Sequence, residues 1–144
     1  MDCRWIKDEK GELIALLIPK EFKPEGYNFL TPEDLNLQVG VNAYGAHGKV
    51  EAHRHNPVVR TTQGTMETLL LRTGQMSLQL YDNENQPLEC VEMKAGDFVL
   101  LVSGGHGITF FEPCDLLEVK QGPFVPRELD KAMIHAGAGA RAHE

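Results

Sequence analysis

Cysteine is scarce in this chain and odd in number: Cys3, Cys90 and Cys114 stand far apart, with no C-x-x-C pair. No disulfide framework follows from three such residues, and Cys90 and Cys114 fall in apolar, strand-like stretches where a thiol acts as a small hydrophobe. Hydrophobic runs are short. None approaches the length that crosses a bilayer, and the first residues, with Asp2, Arg4, Lys7 and Asp8, do not form the apolar core of a signal peptide. The expectation is therefore a cytoplasmic protein with no membrane partner. Positive charge is also in deficit, 14 Lys and Arg against 21 Asp and Glu, for a net charge of −7. Without a basic patch to displace counterions, nucleic acid is not an expected partner. There is no Gly-rich phosphate loop, no internal repeat and no linker that would split the chain.

What remains is ordinary globular composition, with 42% hydrophobic residues over 144 positions, enough for one self-sufficient core. Residues 1–36 are read as an N-terminal strand or arm and a short helix, 37–126 as the barrel and 127–144 as a tail, all within one domain. Glu12–Ile18 is apolar and ends at Pro19, an opening strand. Thr31-Pro32-Glu33-Asp34 offers an N-cap, a first-turn proline and first-turn acids, hence a short helix. From Leu37 to Asn42 the pattern alternates with period two, as it does from Met76 to Tyr81. Asp82-Asn83-Glu84-Asn85 is a turn, Leu88–Met93 the returning strand and Phe98–Val102 an apolar strand broken by Gly104-Gly105. Two further strands, Ile108–Phe111 and Asp115–Lys120, follow, and Glu128–Ile134 holds a helical turn or two. Short strands at close spacing predict an all-β barrel or sandwich.

The chemistry concentrates in four residues. His53-Arg54-His55 places two imidazoles at i and i+2, which share a face only on a strand. Glu67 heads the apolar run Thr68–Leu71, and a buried carboxylate there calls for a partner such as a metal. His106 follows Gly104-Gly105, whose backbone freedom lets the imidazole turn inward. Three imidazoles and one carboxylate suit a divalent transition metal such as Fe, Mn, Ni or Zn, with positions left open for water or substrate. The alternatives are two solvent-facing histidines, a strand-end acid and a histidine on an exposed hairpin. Arg60 and Lys120 are candidate clamps for an anionic group on a small-molecule ligand, against the alternative of surface cations.

These residues resemble the motifs of the cupin superfamily. Six residues separate Glu67 from Gly74 as its first motif requires, His53-x-His55 supplies its histidine pair, and Gly96 with Gly104-Gly105-His106 follows its second. The chain departs in the eleven residues between His55 and Glu67, in Val102 where proline is usual, in Phe110 where asparagine is usual and in His106 lying one position early. The stretch Val119–Pro123 is similar to the end of a subgroup of small single-domain cupins. The resemblance implies a double-stranded β-helix (a jelly-roll barrel) with minor terminal helical pieces, one metal ion and a homodimer. It leaves two functions open. One is a metal-dependent enzyme on a small polar organic molecule, of oxygenase, isomerase or lyase type; the other is a non-catalytic module that binds a carbohydrate-like or carboxylate ligand.

Overall fold

The structure is a computed structural model in which residues 1–135 are described. Expectations on the last residues of the tail, 136–144, lie outside that range. Eight strands form: β1 Arg4–Lys7, β2 Leu13–Ile18, β3 Glu67–Thr73, β4 Gln75–Tyr81, β5 Pro87–Lys94, β6 Phe98–Leu101, β7 Gly105–Phe110 and β8 Asp115–Lys120. One short helix, α1, spans Arg127–Asp130. The strands make two antiparallel sheets, of order β1-β2-β6-β3-β8 and β5-β4-β7. The protein is thus nearly all β. No helix among the described residues is long and apolar enough to cross a membrane.

Alternation along the strands builds the core. In the larger sheet Leu69 on β3 lies level with Val99 on β6 and so with Leu17 on β2, while Leu101 on β6 lies level with Glu67 and with Ala15; these apolar residues and Leu71 all face the interior. In the smaller sheet Met76, Leu78 and Leu80 on β4 are wholly buried, flanked by Val91 and Met93 on β5 and by Ile108 on β7. Opposed apolar faces of this kind hold a two-layer β architecture together.

The larger sheet also has an apolar outer face, Leu16, Ile18, Leu100 and Phe98, and the chain between β2 and β3 covers it. Here two expectations fail. Residues 37–42 form no strand; they make one isolated bridge, Phe29 to Gly40, and Leu35, Leu37, Val39 and Val41 pack on the sheet instead. The period-two pattern is satisfied by burial rather than by pairing. Nor does a helix follow Thr31. The Gln38 amide donates to the carbonyls of Pro32 (2.8 Å) and Leu35 (2.9 Å), acceptors that a continuing helix would have used, and the segment closes as a turn. The N-terminal strands β1 and β2 belong to the larger sheet, so the arm expected over residues 1–36 is in part structural.

Because Leu78 sits at the centre of the smaller sheet, Leu78→Ala should lower unfolding free energy by about 2–5 kcal/mol, the range for a leucine-sized cavity that cannot collapse. Urea denaturation followed by tryptophan fluorescence measures it; a loss below roughly 1 kcal/mol would mean that the layer is not closely packed there.

Candidate functional site

At one end of the sandwich the apolar layer gives way to polar groups. Glu67 is the first residue of β3 and faces inward like Leu69 and Leu71, so it is buried, at 8% exposure. His106 on β7 lies level with Leu80 and therefore also faces inward. Across the gap between the sheets His106 Nε2 meets Glu67 Oε1 at 2.8 Å. With its proton on Nε2 the imidazole donates to the carboxylate. That hydrogen bond is the first cause holding the Glu67 carboxyl below the ordinary range; burial opposes it, and the positive charges of His106, Lys131 and Lys120 assist.

The turn ahead of β7 is built to aim His106. Gly104 has φ +69, and a Cβ there would stand 2.1 Å from the Tyr81 carbonyl oxygen. Asn83 braces the turn from the neighbouring hairpin: its Oδ1 accepts from Gly104 N at 2.8 Å and its Nδ2 donates to Ser103 Oγ at 3.3 Å. Ser103 in turn donates to the Leu13 carbonyl at 2.7 Å. The Ser103 hydroxyl is thereby committed to structure.

Around the Glu67–His106 pair lies a cavity of about 470 Å³, whose lining includes Tyr81, Lys120, Arg127, Asp130 and Lys131. Lys120 faces inward because it is level with Glu67 in the β3–β8 register. Its Nζ lies 3.0 Å from Asp130 Oδ2, and Thr65 Oγ1 donates to Asp130 Oδ1 at 3.2 Å. These contacts draw the segment after α1 across the mouth, where Ile134 presses on Gly105: a Cβ on that glycine would come within 2.1 Å of Ile134 Cδ1. Two carboxylates, Glu67 and Asp130, face three permanent cations, Lys120, Arg127 and Lys131. Among the described residues the lining is therefore one positive charge in excess before His106 is counted, inside a chain of net charge −7.

The other expected residues lie elsewhere. His53 and His55 are not on a strand; residues 43–65 are exposed throughout and carry no regular structure. A strand needs a neighbour to satisfy its backbone, and among the described residues none pairs with this segment. The two rings still keep together, centroids 5.5 Å apart, and His53 Nδ1 donates to the Glu51 carbonyl at 2.8 Å. Arg60 belongs to the same exposed segment, away from the cavity lining. Among the described residues no three His, Cys, Asp or Glu side chains gather as a metal-holding group.

No protein family, curated protein or solved structure matches the chain.

The fit of a metal can thus be judged on geometry alone. The Glu67 and His106 donor atoms are spaced as two neighbouring ligands of one ion would be, since bonds of about 2.0–2.2 Å set cis donors roughly 3 Å apart. Glu67 and His106 lie together, whereas His53 and His55 lie apart from them on the exposed segment. Reading the sequence also missed Asp130, Arg127, Tyr81 and Lys131. Asp130 had a faint signal as an acid within the expected helical turn; Arg127 and Lys131 carried none, because their place depends on how the segment around α1 crosses the open end of the sheets, and Tyr81 read only as the last residue of a strand.

Two outcomes are expected. Gly104→Ala should destabilise the fold by more than the roughly 1 kcal/mol typical of a single substitution, because positive φ and the Tyr81 carbonyl both oppose it. Chemical denaturation beside Gly107→Ala, where a Cβ meets nothing, isolates the effect. Glu67 is depressed in the folded state, so its stabilisation is complete above the ordinary carboxylate range and is lost as pH falls through its folded value. Glu67→Gln should flatten stability against pH below about pH 5. An unchanged slope in urea titrations across that window would remove Glu67 as a contributor.

Proposed function

We propose that this protein is a metal-binding member of the cupin class, a double-stranded β-helix whose open end binds a small polar molecule bearing a carboxylate or similar anion. The observation that carries this reading is the inward-facing Glu67–His106 pair, 2.8 Å apart within a cavity of net positive lining. In it, Glu67 and His106 hold one divalent transition metal together with His53 and His55. When bound, such an ion supplies a Lewis acid and a point of attachment for substrate oxygen atoms.

The chain's own residues account for the rest. Arg127 and Lys131 attract the anion, and low-dielectric walls concentrate their field at the mouth. Lys120, raised above its ordinary value first by its hydrogen bond to Asp130, stays charged throughout the neutral range and turns toward the anion when that contact loosens. The segment carrying Asp130 and Ile134 limits access of water. An enzyme of oxygenase, isomerase or lyase type is the reading we favour.

A non-catalytic binding module is the second reading, and one observation favours it. The Ser103 hydroxyl, the one serine in the lining among the described residues, is already bonded to the Leu13 carbonyl, so the lining there offers binding groups rather than a free serine nucleophile. Elemental analysis of untagged protein tests the shared part of both readings. Wild type should carry about one equivalent of transition metal, with His106→Ala and His53→Ala each losing most of it. A wild type that neither holds metal nor takes it up on reconstitution would overturn the metal assignment.

A further inference from the structure

Among the described residues two parts of the molecule each lack a partner. The first is an edge. β7 and β8 follow one another in the chain, and each borders its own sheet: among the described residues β7 pairs only with β4, and β8 only with β3. The sandwich is open along that side. Exposed edges are usually defended by lysine, proline or a bulge, because their free N–H and C=O groups invite another strand. β7 reads Gly-His-Gly-Ile-Thr-Phe and has none of these. At its far end Phe110 and Phe111 are 52% and 58% exposed.

The second is a strand-like segment. Residues 43–65 are exposed at every position, including Val50, Val58 and Val59. Within 44–62 the contacts found among the described residues are internal: Gly48 N to Gly45 O, Val58 N to Asn56 O, His53 Nδ1 to Glu51 O, and the Lys49–Glu51 ion pair. A structureless stretch this long is uncommon in a compact domain unless it serves a function. Both of its ends are anchored. Ala43 N donates to Gly26 O, while Met66 N donates to Gln121 Oε1 at 2.7 Å and Gln121 N donates back to Met66 O at 3.3 Å.

We propose that two copies of the chain exchange this arm, so that residues 49–56 of one copy add a strand to the β7 edge of the other. His53 and His55 then enter the barrel mouth beside the partner's Glu67 and His106. The inference rests on the metal reading above and names the chain that supplies each half of the site. Its geometry follows from strand periodicity. A register that turns His53 and His55 inward, alongside His106 and Ile108, turns Arg54 outward. Pro57 ends the added strand, which becomes the new edge, where proline is tolerated. From Met66 back to Pro57 the tether spans roughly 30 Å when extended, at about 3.3 Å per residue. Exchange between two copies makes two identical contacts and closes on itself, so it yields a dimer and not a fibre.

Subunit mixing decides it. One variant carries His53→Ala with His55→Ala, the other Glu67→Gln with His106→Ala. Each alone should hold almost no metal. Unfolded together in equal amounts and refolded with metal, they should recover about a quarter of the wild-type content, because half the dimers are mixed and each mixed dimer has one intact site of two. Recovery of none, while wild type retains its metal, overturns the exchange in favour of an arm that folds onto its own barrel. Amide hydrogen exchange with light scattering gives a readout independent of metal. Alternate amides within residues 49–56, those that face β7, should be protected in the dimer and lose protection as dilution dissociates it. Protection that persists in a monomer, or no protection in a dimer, also overturns the exchange. A wild type that binds no metal but shows the dilution-dependent protection would fail the metal reading alone.

Discussion

The apolar layer between the two sheets is the constraint on which everything else depends. Leu69, Leu71, Val99 and Leu101 press against Met76, Leu78, Leu80, Val91 and Met93, and water is excluded from between them. Burying that surface stabilises the fold, but it does more: it fixes which way every residue on each strand points. Glu67 extends the inward row of Leu69 and Leu71, and His106 the inward side of β7 that carries Ile108. Neither residue chose its orientation locally. Each inherits it from leucines and isoleucines further along, which is how an apolar core places a carboxylate and an imidazole 2.8 Å apart across two sheets.

The end of that layer is also where charge collects. A carboxylate at 8% exposure is costly unless its oxygens are bonded, and the His106 imidazole with nearby Lys120 and Lys131 offsets the cost. Asp130 plays a parallel part on the other wall, tying Lys120 and Thr65 to the segment that crosses the mouth. Two acid–base pairs thus line one cavity and differ in what fixes them. Glu67 and His106 are held by sheet strands, whereas Asp130 arrives on a short helix with no buried residue of its own. The first pair is rigid scaffold; the second is the more easily parted.

Much of the framework was legible in the sequence, because period-two alternation between turn residues has few meanings. Alternation marked the strand at 76–81, and apolar runs between turn residues marked those expected at 88–93, 98–102 and 115–120 and the one headed by Glu67, each within a residue or so of the strand that forms. Alternation failed over 37–42 because a loop lying on an apolar sheet face needs the same spacing as a strand that pairs. β1 was missed since Arg4–Lys7 is four residues long with two cations, which reads as surface. For the site, Glu67, His106 and Lys120 come together as their positions at strand ends implied. His53 and His55 stand apart, and no local pattern could reveal that, because whether a segment finds a strand beside it is decided by the far parts of the chain. Arg127, Asp130 and Lys131 were hidden for the same reason.

The paired hydrogen bonds between Met66 and Gln121 carry a mechanical consequence. They lock the residue just before Glu67 from both its N–H and its C=O, at the point where the long exposed segment meets β3. Tension on that segment is therefore borne by β8 through Gln121, and it stops one peptide short of the carboxylate. Slippage by a single position would turn Glu67 to the opposite face of the sheet, and this clamp is the ratchet that prevents it. An exposed, irregular segment and a fixed carboxylate can thus be neighbours in the chain without sharing their motion.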